Sequence, residues 1–248
     1  MPDALLLAAL FFVAALLYAS VGHAGASAYL AAMALVGLGP EAARPTALPL
    51  NVLVATFVTI SFWRSGLVQF RVLLPFIVGS IPLAFLGGAI QVPTTIYKPL
   101  LGLVLLVAAA GFARTSRAAG SDDDAPSPGI PVVPAALAGA AIGLLSGLTG
   151  TGGGIFLSPL LIAAGWATTR QASGIAAGFI LANSISGLAG NFSAVGSVPS
   201  EIPLWAGAVL LGAVIGAELG ARRWHPPQLR LALAAVLLVA GLKLIFIG

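Results

Sequence analysis

The stretch "SGLTGTGGGIFLSPLL", residues 146–161, interrupts a chain that is otherwise strongly apolar. Five of its first nine residues are glycine, and an apolar segment that contains Pro159 follows at once. Glycine readily adopts backbone conformations that other residues avoid, and it is a weak helix former. The stretch therefore predicts a break between two helical segments.

The composition of the chain indicates a membrane protein. Of its 248 residues, 59% are hydrophobic and 7% are charged, so little polar material is left to cover a surface that faces water. The apolar runs do not alternate with polar residues, which predicts helices and not barrel strands. Most of the runs are long enough to cross a hydrocarbon core about 30 Å thick. They comprise residues 5–18, 46–63, 72–90, 100–113, 172–190, 203–221 and 229–247.

Several classes of function lack their sequence signals. Cysteine is absent, which excludes disulfides and thiolate metal sites, and the two histidines are His23 and His225. No catalytic spacing, nucleotide loop or metal-ligand cluster occurs, so we expect no enzyme, no cofactor and no bound metal. The eleven basic residues are scattered singly and form no stripe, which argues against a nucleic-acid partner.

A polar segment, residues 114–131, divides the chain into halves of nearly equal length. It is acidic in its middle and rich in proline, glycine and serine, as a solvated linker is. We therefore predict a first membrane repeat in residues 1–113, a linker in residues 114–131 and a second membrane repeat in residues 132–248.

The two halves match when the second half is shifted back by 128 positions. Five of the ten glycines before Arg114 then coincide with a glycine, where glycine frequency alone would give about one or two. An internal duplication is the better explanation. The coinciding pairs are Gly22 with Gly150, Gly25 with Gly153, Gly37 with Gly165, Gly79 with Gly207 and Gly88 with Gly216.

Both copies contain an apolar stretch, a glycine-rich break, a second apolar stretch of about 13 residues and then a lone arginine, Arg44 or Arg170. The second stretch is short for a membrane span. The glycines could kink one long helix, or they could fold the chain back as a hairpin. These geometries place the basic residues differently, and short cytoplasmic connections normally carry an excess of lysine and arginine.

The charge distribution favours the hairpin. With hairpins, eight basic residues share one side of the membrane and three lie opposite, whereas kinked helices give six against five. The three are Arg44, Lys98 and Lys243, and the eight are Arg64, Arg71, Arg114, Arg117, Arg170, Arg222, Arg223 and Arg230. We predict an all-α polytopic membrane protein of two inverted repeats, with about 8–10 membrane segments. Each repeat has a glycine-broken helical hairpin and three transmembrane helices, with the linker cytoplasmic and both termini periplasmic.

Inverted repeats with broken helices are typical of secondary transporters, whose substrates bind where unwound backbone and half-helix ends meet near the membrane midplane. A glycine run lets backbone N–H groups approach a ligand, and the start of a helix carries partial positive charge. The segment "GTGGG", which leads into a helix, therefore favours an anion. The alternative is that the glycines only allow close packing of helices.

Eleven residues are candidates for substrate binding. They are Gly22, His23, Gly25, Ser27, Asn51, Gly150, Thr151, Gly152, Gly153, Gly154 and Asn183. Asn51 and Asn183 lie in apolar runs, where an amide needs a partner, so interhelical hydrogen bonds are an equal alternative to ligand contact. Hydroxyls beside the breaks, including Ser27 and Thr151, could instead cap half-helices. His23 is either a structural donor or a group that adds positive charge when it is protonated.

The motifs "YASVGHAGASAYLAAM", residues 18–33, and "GLTGTGGGIFLSPLL", residues 147–161, resemble those of the TauE/SafE sulfite-exporter family of integral membrane proteins. The resemblance covers nearly the whole chain. It implies movement of small sulfur-containing anions, such as sulfite, thiosulfate or an organosulfonate like sulfoacetate, across the bacterial inner membrane, and it favours export. One departure is His23 with Ala24 in the first copy, which makes the two half-sites chemically unequal.

Two alternatives to a secondary transporter stay open, namely a passive anion channel and a structural membrane subunit of a larger complex. The lack of a nucleotide loop leaves an ion gradient or the substrate's own gradient as the driving force. The expected partners are a small sulfur-containing anion and the lipid bilayer. The oligomeric state is left open, with a homodimer among the alternatives.

Overall fold

A computed structural model describes residues 3–117, 130–192, 198–221 and 227–246. These ranges contain ten α-helices and no β-strand, so the predicted all-α fold is confirmed there. Five helices fall in each half of the chain. The helices are α1 (Asp3–Ser20), α2 (Ala26–Leu35), α3 (Pro40–Arg64), α4 (Phe70–Ala89), α5 (Thr94–Arg117), α6 (Val132–Thr149), α7 (Gly154–Ala163), α8 (Thr169–Gly190), α9 (Ile202–Ala221) and α10 (Pro227–Phe246).

The helix bounds repeat with the period that the glycines predict. A shift of 128 residues maps α2 onto α7 without an offset, from 26 to 154 and from 35 to 163. Matched glycines also share a backbone conformation, because φ is 79° at Gly22 and 82° at Gly150. The φ angles of Gly25 and Gly153 are 97° and 80°. Glycine adopts this left-handed region at little cost, so the repeat extends from the sequence to the backbone.

The first glycine-rich break folds the chain back as a hairpin. The rings of Phe11 and Tyr29 have centroids 5.0 Å apart, and Tyr18 Oη lies 2.8 Å from Ser27 Oγ. Earlier residues of α1 therefore contact later residues of α2, which requires that α2 returns alongside α1. A single kinked helix is excluded here.

Glycines line the contact between α6 and α4. Each lies against the backbone of an α4 residue, in the pairs Gly139 with Phe76, Gly143 with Ser80 and Gly147 with Ala84. The residue numbers rise together, so the two helices are parallel. A similar parallel contact joins α9 to α1, with Gly212, Gly216 and Gly220 against Phe12, Leu16 and Ser20. These glycines serve close packing, as small residues do in many membrane helix bundles.

The second break is also a hairpin. Gly178 of α8 lies against Leu73 of α4, and the Ser186 hydroxyl donates to the Ile81 carbonyl at 2.6 Å, so α8 is parallel to α4. Because α6 and α8 both share the direction of α4, the chain must reverse between them. The short helix α7 is the returning arm.

Helices α3 and α8 are well enclosed and run antiparallel. Asn51 Nδ2 donates to Ser184 Oγ at 2.8 Å, while Leu67, just after α3, packs against Gly174. Later residues of one helix thus meet earlier residues of the other. Since α2 packs on α3 and α7 packs on α8, the two hairpins lie against this central pair.

Six helices in the described residues are long and apolar enough to cross a membrane, namely α3, α4, α5, α6, α8 and α9. Exposed apolar side chains such as Val78 on α4 and Leu211 on α9 suit contact with lipid. Helices α2 and α7 have ten residues each and are too short to span the hydrocarbon core. These helices are those of a multi-pass membrane protein.

Two sequence predictions fall partly outside the described residues. Helix α5 continues to Arg117, so its last turns include Arg114, the first residue of the predicted linker. Residues 118–129 of that linker lie outside the described ranges, as do Arg222 and Arg223, two of the eight basic residues predicted on the cytoplasmic side.

Candidate functional site

The two breaks come together between the hairpins. We define the first break as residues 21–25 and the second break as residues 150–153. His23 Nε2, in the first break, lies 3.1 Å from the carbonyl oxygen of Gly154, the first residue of α7. The same nitrogen lies 3.2 Å from Ser158 Oγ. His23 therefore joins the two hairpins directly.

Both ring nitrogens of His23 have polar neighbours. Its Nδ1 lies 3.0 Å from the Val21 carbonyl oxygen, so each ring nitrogen is within hydrogen-bonding distance of a carbonyl. A neutral ring with its proton on Nδ1 can donate to Val21 and accept from the Ser158 hydroxyl at Nε2, whereas an imidazolium can donate to both carbonyls. The rings of Tyr18 and Phe112 pack around it, with centroids 6.3 Å and 5.4 Å away.

Asn51, at the centre of α3, closes the first break. Its Oδ1 accepts a hydrogen bond from the backbone N–H of Ala26, the first residue of α2, at 3.0 Å, and its Nδ2 donates to Ser184. An acceptor at a helix start satisfies one of the N–H groups that have no intrahelical partner. Asn51 thus makes interhelical bonds, which were one of its two predicted roles, and ligand contact stays a prediction.

Side-chain hydroxyls near the first break are also paired within the protein. The hydroxyls of Tyr18 and Ser27 lie 2.8 Å apart, and the Tyr29 hydroxyl donates to the Ala24 carbonyl at 2.7 Å. A Cβ on Gly25 would lie 2.8 Å from the Tyr29 hydroxyl, so glycine is needed for this approach. The first break is therefore held by side chains of α1 and α2.

The second break leaves backbone N–H groups without acceptors. Gly150 N–H donates to the Ser146 carbonyl at 2.7 Å and ends α6. The N–H groups of Thr151, Gly152 and Gly153 have no acceptor among the described residues. Helix α7 starts directly after them, so the positive end of its dipole lies at the same place.

Ser146 places an unpaired hydroxyl beside these N–H groups. The residue is 1% exposed, and its Oγ has no hydrogen-bond partner in the part of the chain that the structure describes. A Cβ on Gly153 would lie 3.3 Å from Ser146 Cβ, so the hydroxyl is next to the second break. Buried hydroxyls are normally hydrogen-bonded, and an unpaired one calls for an explanation.

Close packing explains why side chains are missing from the glycine run. A Cβ on Gly153 would lie 2.9 Å from Phe179 Cε1, and a Cβ on Gly154 would press on the side chain of Ile180. A Cβ on Gly152 would likewise press on the amide of Asn51. The packing role predicted as the alternative is therefore present, and it leaves the N–H groups unpaired.

The remaining predicted residues make local contacts. Asn183 Nδ2 donates to the Phe179 carbonyl at 2.9 Å, and its buried Oδ1 has no partner among the described residues. The Thr151 hydroxyl lies 3.0 Å from the hydroxyl of the threonine two positions earlier. Gly22 packs against Ser173, near the start of α8.

Arg44 is a buried charge at this site that the sequence does not place there. The sequence indicates an orienting charge on the outer side, but α3 begins at Pro40, and Arg44 lies inside it with 4% of its surface exposed. Its guanidinium donates to the carbonyls of Gly87 and Ile90 at 2.9 Å each. A Cβ on Gly150 would lie 3.2 Å from Arg44 Cγ, which puts the side chain against the second break.

A cavity of about 180 Å³ lies between α2, α3, α5 and α10. Its lining includes Lys98 and Lys243, which the sequence predicts on one side of the membrane, together with Glu41. Tyr97 also lines it and donates to the carbonyl of Thr149, the last residue before the second break, at 2.9 Å. The cavity thus lies near the site and carries basic groups.

These features define a class of protein. Membrane-length helices pack against two broken-helix hairpins, the breaks meet in a buried polar centre, and the second break leaves three successive buried N–H groups without an acceptor among the described residues. This is the construction of a multi-pass membrane transporter.

Comparison with known proteins identifies the family. The profile of the family described as "Sulfite exporter TauE/SafE" matches residues 7–244, so the chain belongs to this family of membrane transporters. The chain is also 41% identical over 244 residues to the "Probable membrane transporter protein y4hK" of Sinorhizobium fredii (strain NBRC 101917 / NGR234). That alignment covers 98% of this chain and 99% of the relative. No solved structure matches the chain significantly.

Proposed function

We propose that the protein is a secondary transporter that carries a small sulfur-containing oxyanion, such as sulfite, thiosulfate or sulfoacetate, across the bacterial inner membrane in the direction of export. The family description names sulfite export. The observation that carries the proposal is the set of N–H groups at Thr151, Gly152 and Gly153, which have no acceptor among the described residues.

An oxyanion suits these donors. Unpaired N–H groups are costly where no water reaches them, and the start of α7 contributes the equivalent of about half a positive elementary charge. The Ser146 hydroxyl adds a donor beside Gly153. No carboxylate is found among the buried polar side chains of the described residues, so nothing in that set repels an anion. A sulfite or sulfonate group has three oxygens, which can accept from several of these donors at once.

For movement across the membrane, we propose that the halves are inverted repeats with a cytoplasmic linker and periplasmic termini. The antiparallel course of α3 and α8, which correspond to each other under the shift of 128, supports opposite orientations. The eight-to-three division of basic residues supports a linker on the cytoplasmic side of the membrane. Reporter fusions within residues 122–124 and at the C-terminus test this topology. A periplasmic linker or a cytoplasmic C-terminus would contradict it.

Counterflow in proteoliposomes tests the transport function. Vesicles that contain the purified protein are loaded with unlabelled thiosulfate and diluted into radiolabelled thiosulfate. A carrier is expected to accumulate label transiently and to saturate, whereas an anion channel passes current without saturating at low concentration. A structural subunit does neither when purified alone. Lack of counterflow with sulfite, thiosulfate and sulfoacetate, in protein shown to be folded, would contradict the proposal.

A further inference from the structure

Arg44 is a buried charged side chain in the helix bundle, about one turn after the start of α3. A buried charge in a membrane protein is costly and is usually retained for a function. Its position in α3 is close to the break that leaves N–H groups unpaired, since its Cγ packs against Gly150. The two features, a buried cation and a set of free donors, therefore occur side by side.

Three of the five N–H donors of the guanidinium have carbonyl acceptors. Nη1 donates to the Ile90 carbonyl at 2.9 Å, and Nη2 donates to the carbonyls of Gly87, at 2.9 Å, and Gly88. The Nε–H has no hydrogen-bond partner among the described residues. These three carbonyls lie at the end of α4, whose dipole offsets about half of an elementary charge. A net positive charge and a free N–H therefore remain.

The geometry brings that N–H close to the second break. Arg44 Nε is two bonds beyond Cγ, the atom that lies 3.2 Å from the Cβ position of Gly150. Seven positions later on the same helix, Asn51 lies against Gly152. Helix α3 thus presents a cation and an amide along the length of the break, while the anchored Nη atoms hold the guanidinium in place.

We propose that Arg44 donates its Nε–H to the oxyanion bound at the second break, and that its charge makes the site prefer divalent to monovalent anions. This inference rests on the proposed function and adds the residue that sets charge preference. An arginine that served only to cap α4 would support the fold, but it would not distinguish between anions of different charge.

The test compares two anions on the purified full-length protein. Thiosulfate is a dianion and methanesulfonate a monoanion, and both remain ionised at neutral pH. Calorimetry measures their affinities for the wild type, Arg44→Gln and Arg44→Lys, with Arg64→Gln as the control at the exposed end of α3. Arg44→Gln is expected to lose about tenfold more affinity for thiosulfate than for methanesulfonate. Arg44→Lys keeps the charge but lacks the Nε–H and should fall between, and Arg64→Gln should match the wild type.

The outcomes separate this inference from the proposed function. If folded Arg44→Gln keeps the wild-type preference for thiosulfate, or loses equal affinity for both anions, the proposed role of Arg44 is wrong. The proposed transport function would not be affected by that result. If Arg44→Gln does not fold, Arg44→Lys decides, because a lysine can cap helix carbonyls as Lys243 does at Leu35, at 2.8 Å. Wild-type affinity for thiosulfate in Arg44→Lys would then exclude the Nε–H contact. Failure of the wild type to bind either anion would overturn the proposed function itself.

Discussion

The first and second breaks share a backbone plan but differ in what completes them. In the first break, Asn51 accepts the N–H of Ala26, and neighbouring hydroxyls pair with each other. In the second break, three successive N–H groups have no acceptor among the described residues. A shift of 128 places Phe179 where the first half has Asn51. The capping amide is thus replaced by a ring that packs on Gly153.

This difference separates a structural break from a candidate binding break. In the first break, Asn51 satisfies the N–H of Ala26, the first residue of α2, while the N–H groups of Ala24 and Gly25 have no acceptor among the described residues. The second break has no side-chain cap of this kind and leaves a longer run of N–H groups without an acceptor there. A bound anion stabilises the start of a helix more when its N–H groups have no other acceptor. The second break is therefore the one proposed to be available to substrate, and His23 connects the two breaks.

The largest effect is expected from a side chain in the second break. Gly153→Leu puts a Cβ 2.9 Å from Phe179 Cε1, so the break must shift, and stabilisation of the protein by thiosulfate in thermal unfolding should disappear. Gly165→Leu is the matched control, because Gly165 has a φ of 67° and no atom within 4 Å of an added Cβ. The control should respond to thiosulfate like the wild type. Retained stabilisation in Gly153→Leu would place the ligand elsewhere.

In the first break, loss of the cap should reduce stability. Asn51→Ala leaves the N–H of Ala26 without its acceptor and is expected to lower the free energy of unfolding by about 2 kcal/mol. Asn183→Ala is the comparison, since its one hydrogen bond lies within its own helix, and it should cost less. Thermal unfolding in detergent measures both. Equal midpoint temperatures of unfolding for Asn51→Ala and the wild type would show that the stability of the first break does not depend on this cap.

Substitution of one serine near each break should change the affinity for thiosulfate differently. Ser146→Ala removes an unpaired hydroxyl beside the second break and should weaken thiosulfate binding about tenfold, the usual value of a hydrogen bond to a charged group. Ser27→Ala removes a hydroxyl that is paired with Tyr18, so it should change stability and leave affinity unaltered. Calorimetric titration compares the two variants. The reverse order of affinities would assign binding to the first break.

The smallest effect concerns the pH dependence of binding through His23. Protonation adds a positive charge, so affinity for a permanently ionised sulfonate should rise a few-fold as the pH falls from about 8 to 5. The ring contacts Tyr18 on α1, Phe112 on α5 and Ser158 on α7, and phenol hydroxyls stay protonated over this range. His23→Gln keeps hydrogen bonding but does not titrate, and it should flatten the profile. Identical profiles for both proteins would make His23 a structural donor.

The hairpins could be predicted from sequence because left-handed backbone strongly favours glycine, whatever packs around it. The matched positions Gly22 with Gly150 and Gly25 with Gly153 all have positive φ. The partners of the polar residues could not be predicted in this way. The bond from Ala26 to Asn51 joins positions 25 apart and the contact of His23 with Gly154 joins positions 131 apart, and no local pattern encodes such pairs.

The burial of Arg44 could not be predicted from the sequence for a different reason. The apolar run that predicts the third helix begins at residue 46, which leaves Arg44 outside it as an orienting charge. The helix starts earlier, at Pro40, because proline suits the first position of a helix. The extra turn carries Arg44 into contact with the end of α4, so burial depends on where the helix begins and not on local hydrophobicity.

Hydrogen exchange tests most directly whether the second break binds the anion. Peptides that cover residues 18–30 and 146–157 are followed by mass spectrometry in the folded protein, with and without saturating thiosulfate. We predict slower exchange at Thr151, Gly152 and Gly153 when thiosulfate is bound, because their N–H groups then donate to the ligand, and unchanged exchange in the first break. Unchanged exchange in the second break, or protection confined to the first, would contradict an anion site on the second break.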